Sequence, residues 1–173
     1  MSETLTTIIA IAVAAILLFV FPLMTMADRV DDQTQAAVQT AVTNFVNNAS
    51  LKGEITKADY DKLVQTISST GNTYSVEMTA QINDKNLGKK SVLEQSFKIG
   101  STDYYVEFSN QLFEKIQNDG VVKFKEGDSI TVKVSSECRT YSDQLGSAFL
   151  GDTGSKAPTI VAQDSTMITA TGK

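Results

Sequence analysis

The segment Gly151-Asp152-Thr153-Gly154-Ser155-Lys156 holds the residue types in this chain that come closest to a reaction centre. Asp-Thr-Gly serves peptide hydrolysis when two such carboxylates share one proton. This sequence contains the triplet once, so the second carboxylate has to come from another subunit. As a phosphate loop the stretch also fails. That motif needs G-x-x-x-x-G-K-[ST] so that successive amides cradle phosphate, and here the glycines are too close and Ser155 precedes Lys156. The segment reads as a loop of turn formers.

The remaining ionisable groups form no fuller constellation. Asp28, Asp31 and Asp32 offer oxygen ligands, but Asp28 and Asp32 lie one helical turn apart and supply only part of a cation's shell. They read as a solvated helix face. Glu126 and Asp128 flank Gly127 and read as turn chemistry. The sequence has no histidine, which removes triads with a histidine base, most zinc sites and imidazole proton transfer near neutral pH. Carboxylate pairs, lysine nucleophiles and oxygen-ligand metal sites remain open in principle. The expectation is a protein without catalytic residues, cofactor or metal.

A net charge of -5 argues against a nucleic-acid partner, because phosphate neutralisation needs clustered cations, and Lys89-Lys90, the only adjacent basic pair, reads as a solvated loop. The single cysteine, Cys138, permits no disulfide within the chain. Lying between Glu137 and Arg139, it reads as a small apolar residue facing inward, with pairing between subunits as the alternative.

The dominant element is the apolar run from Leu5 to Ala27, LTTIIAIAVAAILLFVFPLMTMA. At 1.5 Å per residue, about 20 residues cross a hydrocarbon core of about 30 Å, so one span at about 5–27 is expected. A cleaved signal peptide competes, with Thr25 and Ala27 as its small residues. Its usual basic opening is missing before Arg29, and the run exceeds the usual apolar length of about 7–15 residues. Glu3 stands just ahead of the run. An acid there gains either from the dipole of a helix N-terminus or from a cationic partner, the nearest candidate being the α-amine of a neighbouring chain.

Beyond Arg29, Val30, Ala37, Ala41, Val42, Phe45, Val46 and Ala49 recur at mostly three- or four-residue steps. The helix therefore continues to about Lys52–Gly53, with Pro22 as its one breaker. Thr56, with Asp59 in a capping-box position, opens a second helix that carries Tyr60, Leu63, Val64 and Ile67 and ends at Gly71. Tyr74, Val76, Met78, Ala80 and Ile82 alternate as a half-buried strand, with a hairpin partner at Leu93–Ile99. A third helix capped by Ser101 or Thr102 is expected to carry Tyr105, Phe108, Leu112 and Ile116 and to stop at Gly120. Val121–Lys125 and Ser129–Ser135 read as strands around Glu126-Gly127-Asp128. A short helix follows at Ser142–Leu150, then two terminal strands at Thr159–Ala162 and Met167–Ala170.

The expected architecture is α+β. A long N-terminal transmembrane helix (1–52) leads into an extracytoplasmic domain (53–173) with a mainly antiparallel sheet and two or three short helices. About 145 residues outside the span suffice for one domain with its own core.

The N-terminal stretch MSETLTTIIAIAVAAILLFVFPLMTMADRVDD resembles the type IV filament superfamily, the pilins and pseudopilins, in its early Glu3, its apolar span and the proline at Pro22. GEITKADYDKLVQTISSTGNTYSVEM is similar to small pilin-like proteins of Tad-type or conjugation-related systems of Gram-positive bacteria. The family's acid usually stands slightly further into the mature chain than Glu3 does. The resemblance implies a subunit held in the cell membrane by one span and then drawn by pilus assembly machinery into an extracellular helical homopolymer. Its assembly residues would be Glu3, Ile8, Ile11, Ala15, Leu18 and Pro22, and its partners identical subunits and, before assembly, membrane lipid. The alternative is a monomeric signal-anchored domain that binds a ligand outside the membrane.

Overall fold

The structure is a computed structural model that describes residues 2–83, 104–151 and 160–172. Its longest element is the 51-residue helix α1 (Ser2–Lys52). The helix ends where Gly53 adopts φ +69°. A Cβ on Gly53 would stand 2.1 Å from the Ala170 carbonyl oxygen, so the close approach of the C-terminal segment requires glycine there. That segment also receives the N–H of Gly127 on the carbonyl of Ile168 (3.1 Å) and returns the Gly172 N–H to Phe124 (3.1 Å).

Strand β1 (Glu54–Thr56) leads into helix α2 (Lys57–Ser68). The expected capping box is present. Thr56 Oγ1 accepts the Asp59 N–H at 3.2 Å, and the Asp59 carboxylate accepts the Thr56 N–H at 3.4 Å. Leu63 and Ile67 are buried. Tyr60 packs on Phe113 of the next helix, with ring centroids 5.2 Å apart.

Strand β2 (Tyr74–Asn83) shows the expected alternation, with Met78 and Ala80 fully buried. Strand β3 (Tyr104–Glu107) and helix α3 (Ser109–Asn118) follow. Here the sequence expectation is corrected. Tyr105 lies on a strand paired with Ile82, and Phe108 is the exposed residue that precedes α3. Tyr-Tyr-Val is aromatic and β-branched, and its exposed edge position lets strand propensity decide. Leu112 and Ile116 are buried on α3 as expected. The expected strand Leu93–Ile99 and caps Ser101 and Thr102 lie outside the described residues, as do Lys89-Lys90.

Strand β4 (Val121–Lys123) pairs antiparallel with β1, joining Ile55 to Val122, instead of forming a hairpin with its successor β5 (Ser129–Ser136). The turn between them is the one expected, with Gly127 at φ +95°. Asp128 holds it: its carboxylate accepts the Lys125 N–H at 2.7 Å and the Asn83 N–H at 3.0 Å. Helix α4 (Tyr141–Leu150) and strand β6 (Val161–Met167) complete the chain. A single β6 replaces the two terminal strands expected, and Thr159 lies outside the described residues. The main sheet runs β3-β2-β5-β6, each neighbouring pair antiparallel.

One face of this sheet carries Met78, Ala80, Ile130, Val132, Val134 and Ala162, all fully buried. The other carries polar residues such as Glu77 and Lys133, an ion pair at 3.5 Å. The distal half of α1 lies on the buried face, contributing Val38, Val42, Phe45, Val46 and Ala49 to a core shared with the sheet and the short helices. Val30 and Ala37, expected on that stripe, are exposed, and Val38 takes their place. Cys138 is exposed, not inward-facing: β5 ends at Ser136, so the alternation that would turn Cys138 inward stops before reaching it.

Because the apolar half of α1 contributes nothing to this core, a chain starting at Ala27 should fold as a soluble monomer with native circular dichroism. In that fragment Val42→Ala should lower urea-derived stability by about 2 kcal/mol, since Val42 is fully buried. A second expectation concerns Asp59. Burial pushes its carboxyl up, but hydrogen bonds from Lys52 and Thr56, with the charge of Lys52, outweigh burial and hold it below its ordinary value of 3.8. A depressed folded value stabilises above the unfolded one, and that contribution is lost as pH falls through the folded value. Acid denaturation should therefore draw on Asp59 below about pH 4, and Lys52→Met should shrink that loss, read by urea titrations at several pH values.

Candidate functional site

Helix α1 changes its surroundings along its length. From Glu3 to Phe19 every residue is exposed, although most are apolar. Ile8 is 66% exposed, Ile11 64% and Leu18 70%. Ala15 and Pro22 are exposed as well. A helix apolar on all sides belongs inside lipid or packed protein, not in water. α1 is long and apolar enough to cross a membrane, and none of its most apolar stretch is buried within the chain.

The orientation of this half relative to the domain follows from the helical repeat. At about 100° per residue, Ile8, Ile11, Ala15, Leu18 and Pro22 fall in one stripe. The residues of α1 that are buried against the domain, Ala27, Asp31, Val38, Val42, Phe45, Val46, Ala49 and Ser50, cover a broad arc of the helix that leaves out the side on which this stripe lies. The predicted assembly seam thus points away from the globular part. Glu3 is exposed in the first turn of α1, where a carboxylate gains from the helix dipole.

The distal half is held by side chains that the apolar pattern alone does not single out. Gln35 donates through Nε2 to the Val161 carbonyl (2.8 Å) and accepts the Val161 N–H on Oε1 (3.1 Å). Gln39 Nε2 donates to the Gln163 carbonyl at 3.2 Å, and Thr43 Oγ1 to the Asp164 carboxylate at 2.7 Å. Ser50 Oγ donates to the Met167 carbonyl at 2.7 Å. Four helical residues rise about 6 Å and two strand residues about 6.6 Å, so Gln35 and Gln39 keep pace with Val161 and Gln163. Gln35, Gln39 and Ser50 satisfy backbone groups on the outer edge of β6, which would otherwise be free to pair with another chain, and Thr43 holds the Asp164 side chain. The legible signal was the run of uncharged polar residues Gln35, Gln39 and Thr43 beside the apolar stripe.

Asp31 corrects the reading of the aspartate cluster as a wholly solvated face. It is buried, and its carboxylate accepts the Tyr141 N–H (3.3 Å), the Ser142 N–H (3.0 Å) and the Ser142 hydroxyl (2.6 Å). It therefore caps α4 from a different helix, while Thr140 caps it locally through the Asp143 N–H. Asp28 and Asp32 remain exposed, as expected. Among the described residues no three His, Cys, Asp or Glu side chains cluster as a metal site would require. The triplet Asp152-Thr153-Gly154, with Lys156, lies outside the described residues. No family model, curated protein or solved structure matches this chain.

Removing the Asp31 carboxylate leaves the Tyr141 and Ser142 N–H groups of α4 without their acceptor, while the Asp143 N–H keeps Thr140. Asp31→Ala should cost about 1–2 kcal/mol and speed amide hydrogen exchange at Tyr141 and Ser142 more than in the β-sheet. Asp31→Asn, which keeps an oxygen acceptor, should recover part of the loss.

Proposed function

We propose that this chain is the structural subunit of a helical filament in the manner of the type IV filament superfamily. It is held in the membrane by α1 until assembly, and it then packs α1 against identical helices with its α+β domain outward. The observation that carries this reading is that the arc of α1 covered by the domain leaves out the side that carries the seam. A seam of Ile8, Ile11, Ala15, Leu18 and Pro22 that faces away from the domain can meet other helices without the domain in the way. Lipid tails are as apolar as leucine, so packing, not hydrophobicity, drives one such helix onto another. Small residues such as Ala10, Ala12, Ala14 and Ala15 allow the close approach that packing rewards.

In this reading the chain works through copies of itself, with lipid and an assembly machinery as its other partners. Its assembled form lies outside the cell. The monomeric anchored binding domain is the competitor, and it predicts no dependence of any activity on the outward seam.

The test is filament yield after shearing from cells that express the chain with the assembly system of its own host. Ile11→Lys puts a cation at the centre of the apolar run, a change of about 3 kcal/mol on insertion scales, and should abolish filaments while the soluble domain stays folded. Glu3→Ala should leave membrane insertion intact and lower filament yield, if the carboxylate pairs with a neighbour's α-amine as the helices pack. Wild-type yield from both variants would remove the apolar helix as the assembly element.

A further inference from the structure

Three observations bear on where α4 lies. Its N-terminus is fixed at the level of Asp31 by the three hydrogen bonds to that carboxylate. Upstream of Asp31, on the same face of α1, Ala27 is buried and Met24 and Val20 are partly buried, whereas Glu3 to Phe19 are all exposed. Val20 stands about 16 Å upstream of Asp31, and the ten-residue α4 is about 15 Å long. The cover on α1 thus ends one α4 length from the point where α4 is pinned. β6 first bonds α1 at Gln35, and α2 runs beside α1 from Lys52, which Asp59 meets, up to Ala41, with which Thr66 lines a shared cavity, so the described contacts of both lie downstream of this stretch. α4 does pack on α1. It therefore runs antiparallel to α1, back along the last turns of the apolar run.

We infer that α4 is a second membrane-contacting element, which dips its C-terminal half into the headgroup–acyl boundary beside the span, on the side of the globular domain. This rests on the reading of α1 as a span. Val20 lies about 10 Å inside Ala27 by helical rise, and interfacial helices reach about 5–10 Å into that boundary. The chemistry of α4 suits the depth. Residues 144–151, QLGSAFLG, carry no charge, and the one acid of α4, Asp143, sits in its first turn, at the shallow end. Phe149, at the deep end, is 51% exposed. A half-exposed aromatic ring costs little at a lipid interface and more in water. Lipid is the occupant favoured here because this surface is continuous with the unburied apolar face of α1 at the same depth.

The chain has no tryptophan, so single-tryptophan variants of the full-length protein report their own depth. They would be reconstituted in phosphatidylcholine liposomes brominated near either the glycerol or the methyl end of the acyl chains. Phe149→Trp should show blue-shifted emission, lost preferentially to glycerol-end bromines, and Ala148→Trp gives the same reading from the adjacent exposed position should the first variant fold poorly. Ile16→Trp, at the middle of the apolar run and about 6 Å deeper than Val20, should be quenched by the deeper bromines, and Glu126→Trp, at the far turn of the domain, should give the unquenched baseline. If Ile16→Trp is quenched while both α4 variants emit like the baseline, the dipping of α4 is wrong and the span stands. If Ile16→Trp is itself unquenched, the span fails and the inference falls with it.

Discussion

One continuous helix here has to satisfy two surroundings. A helix closes its own backbone hydrogen bonds, so it can leave a domain core and enter lipid with few unpaired peptide groups, and Pro22, which has no N–H, is where α1 interrupts that ladder. What distinguishes the two ends of α1 is therefore the side chains alone. Beyond Ala27 a buried face alternates with polar ones, and from Ile8 to Phe19 every residue is apolar and exposed. Everything else in the fold is arranged around the distal half of this helix. The sheet supplies a flat apolar face for Val38, Val42 and Val46, and α2 and the β1–β4 pair close over the turn where the helix ends.

The attachment is polar at its margin as well as apolar at its centre. Packing alone would allow α1 to slide along the sheet, because aliphatic contacts are non-directional. The bonds of Gln35, Gln39, Thr43 and Ser50 to β6 set the register, since a slip of one helical residue rotates each of them by about 100° away from its partner. They also occupy the edge of a strand that would otherwise invite pairing with a neighbour. Asp31 carries the same logic one turn further toward the apolar run by making α4 depend on α1 for its first hydrogen bonds. If α1 is drawn into a bundle of identical helices, the domain must follow as a unit.

Much of this was legible in residue order. The length of α1, its end at Gly53, the Thr56–Asp59 capping box and the alternation of β2 and β5 are local features, and local rules found them. Partners in space were harder. The turn at Gly127-Asp128 is the same whether β4 pairs with β5 or with β1, and only the distant Ile55–Val122 contact decides between them. Tyr104–Glu107 offered a capping signal upstream and strand propensity within, and pairing with β2 settled the matter. Asp31 looked like its exposed neighbours because nothing in its own segment reveals that α4, more than a hundred residues later, begins beside it. The candidate seam was legible as a repeat in the sequence, whereas its direction away from the domain required knowing which face of α1 the domain takes.

The central claim is that the apolar half of α1 is an assembly surface whose seam faces inward while the domain faces out. Electron cryomicroscopy of material sheared from cells making the unaltered chain tests it most directly. The account predicts helical filaments with a core of parallel helices spaced about 8–10 Å apart, Ile8, Ile11, Ala15 and Leu18 at the contacts, and the α+β domains as the outer layer. Filaments joined through their sheets, with α1 on the periphery, would contradict it, as would a chain found only as single anchored copies in the membrane.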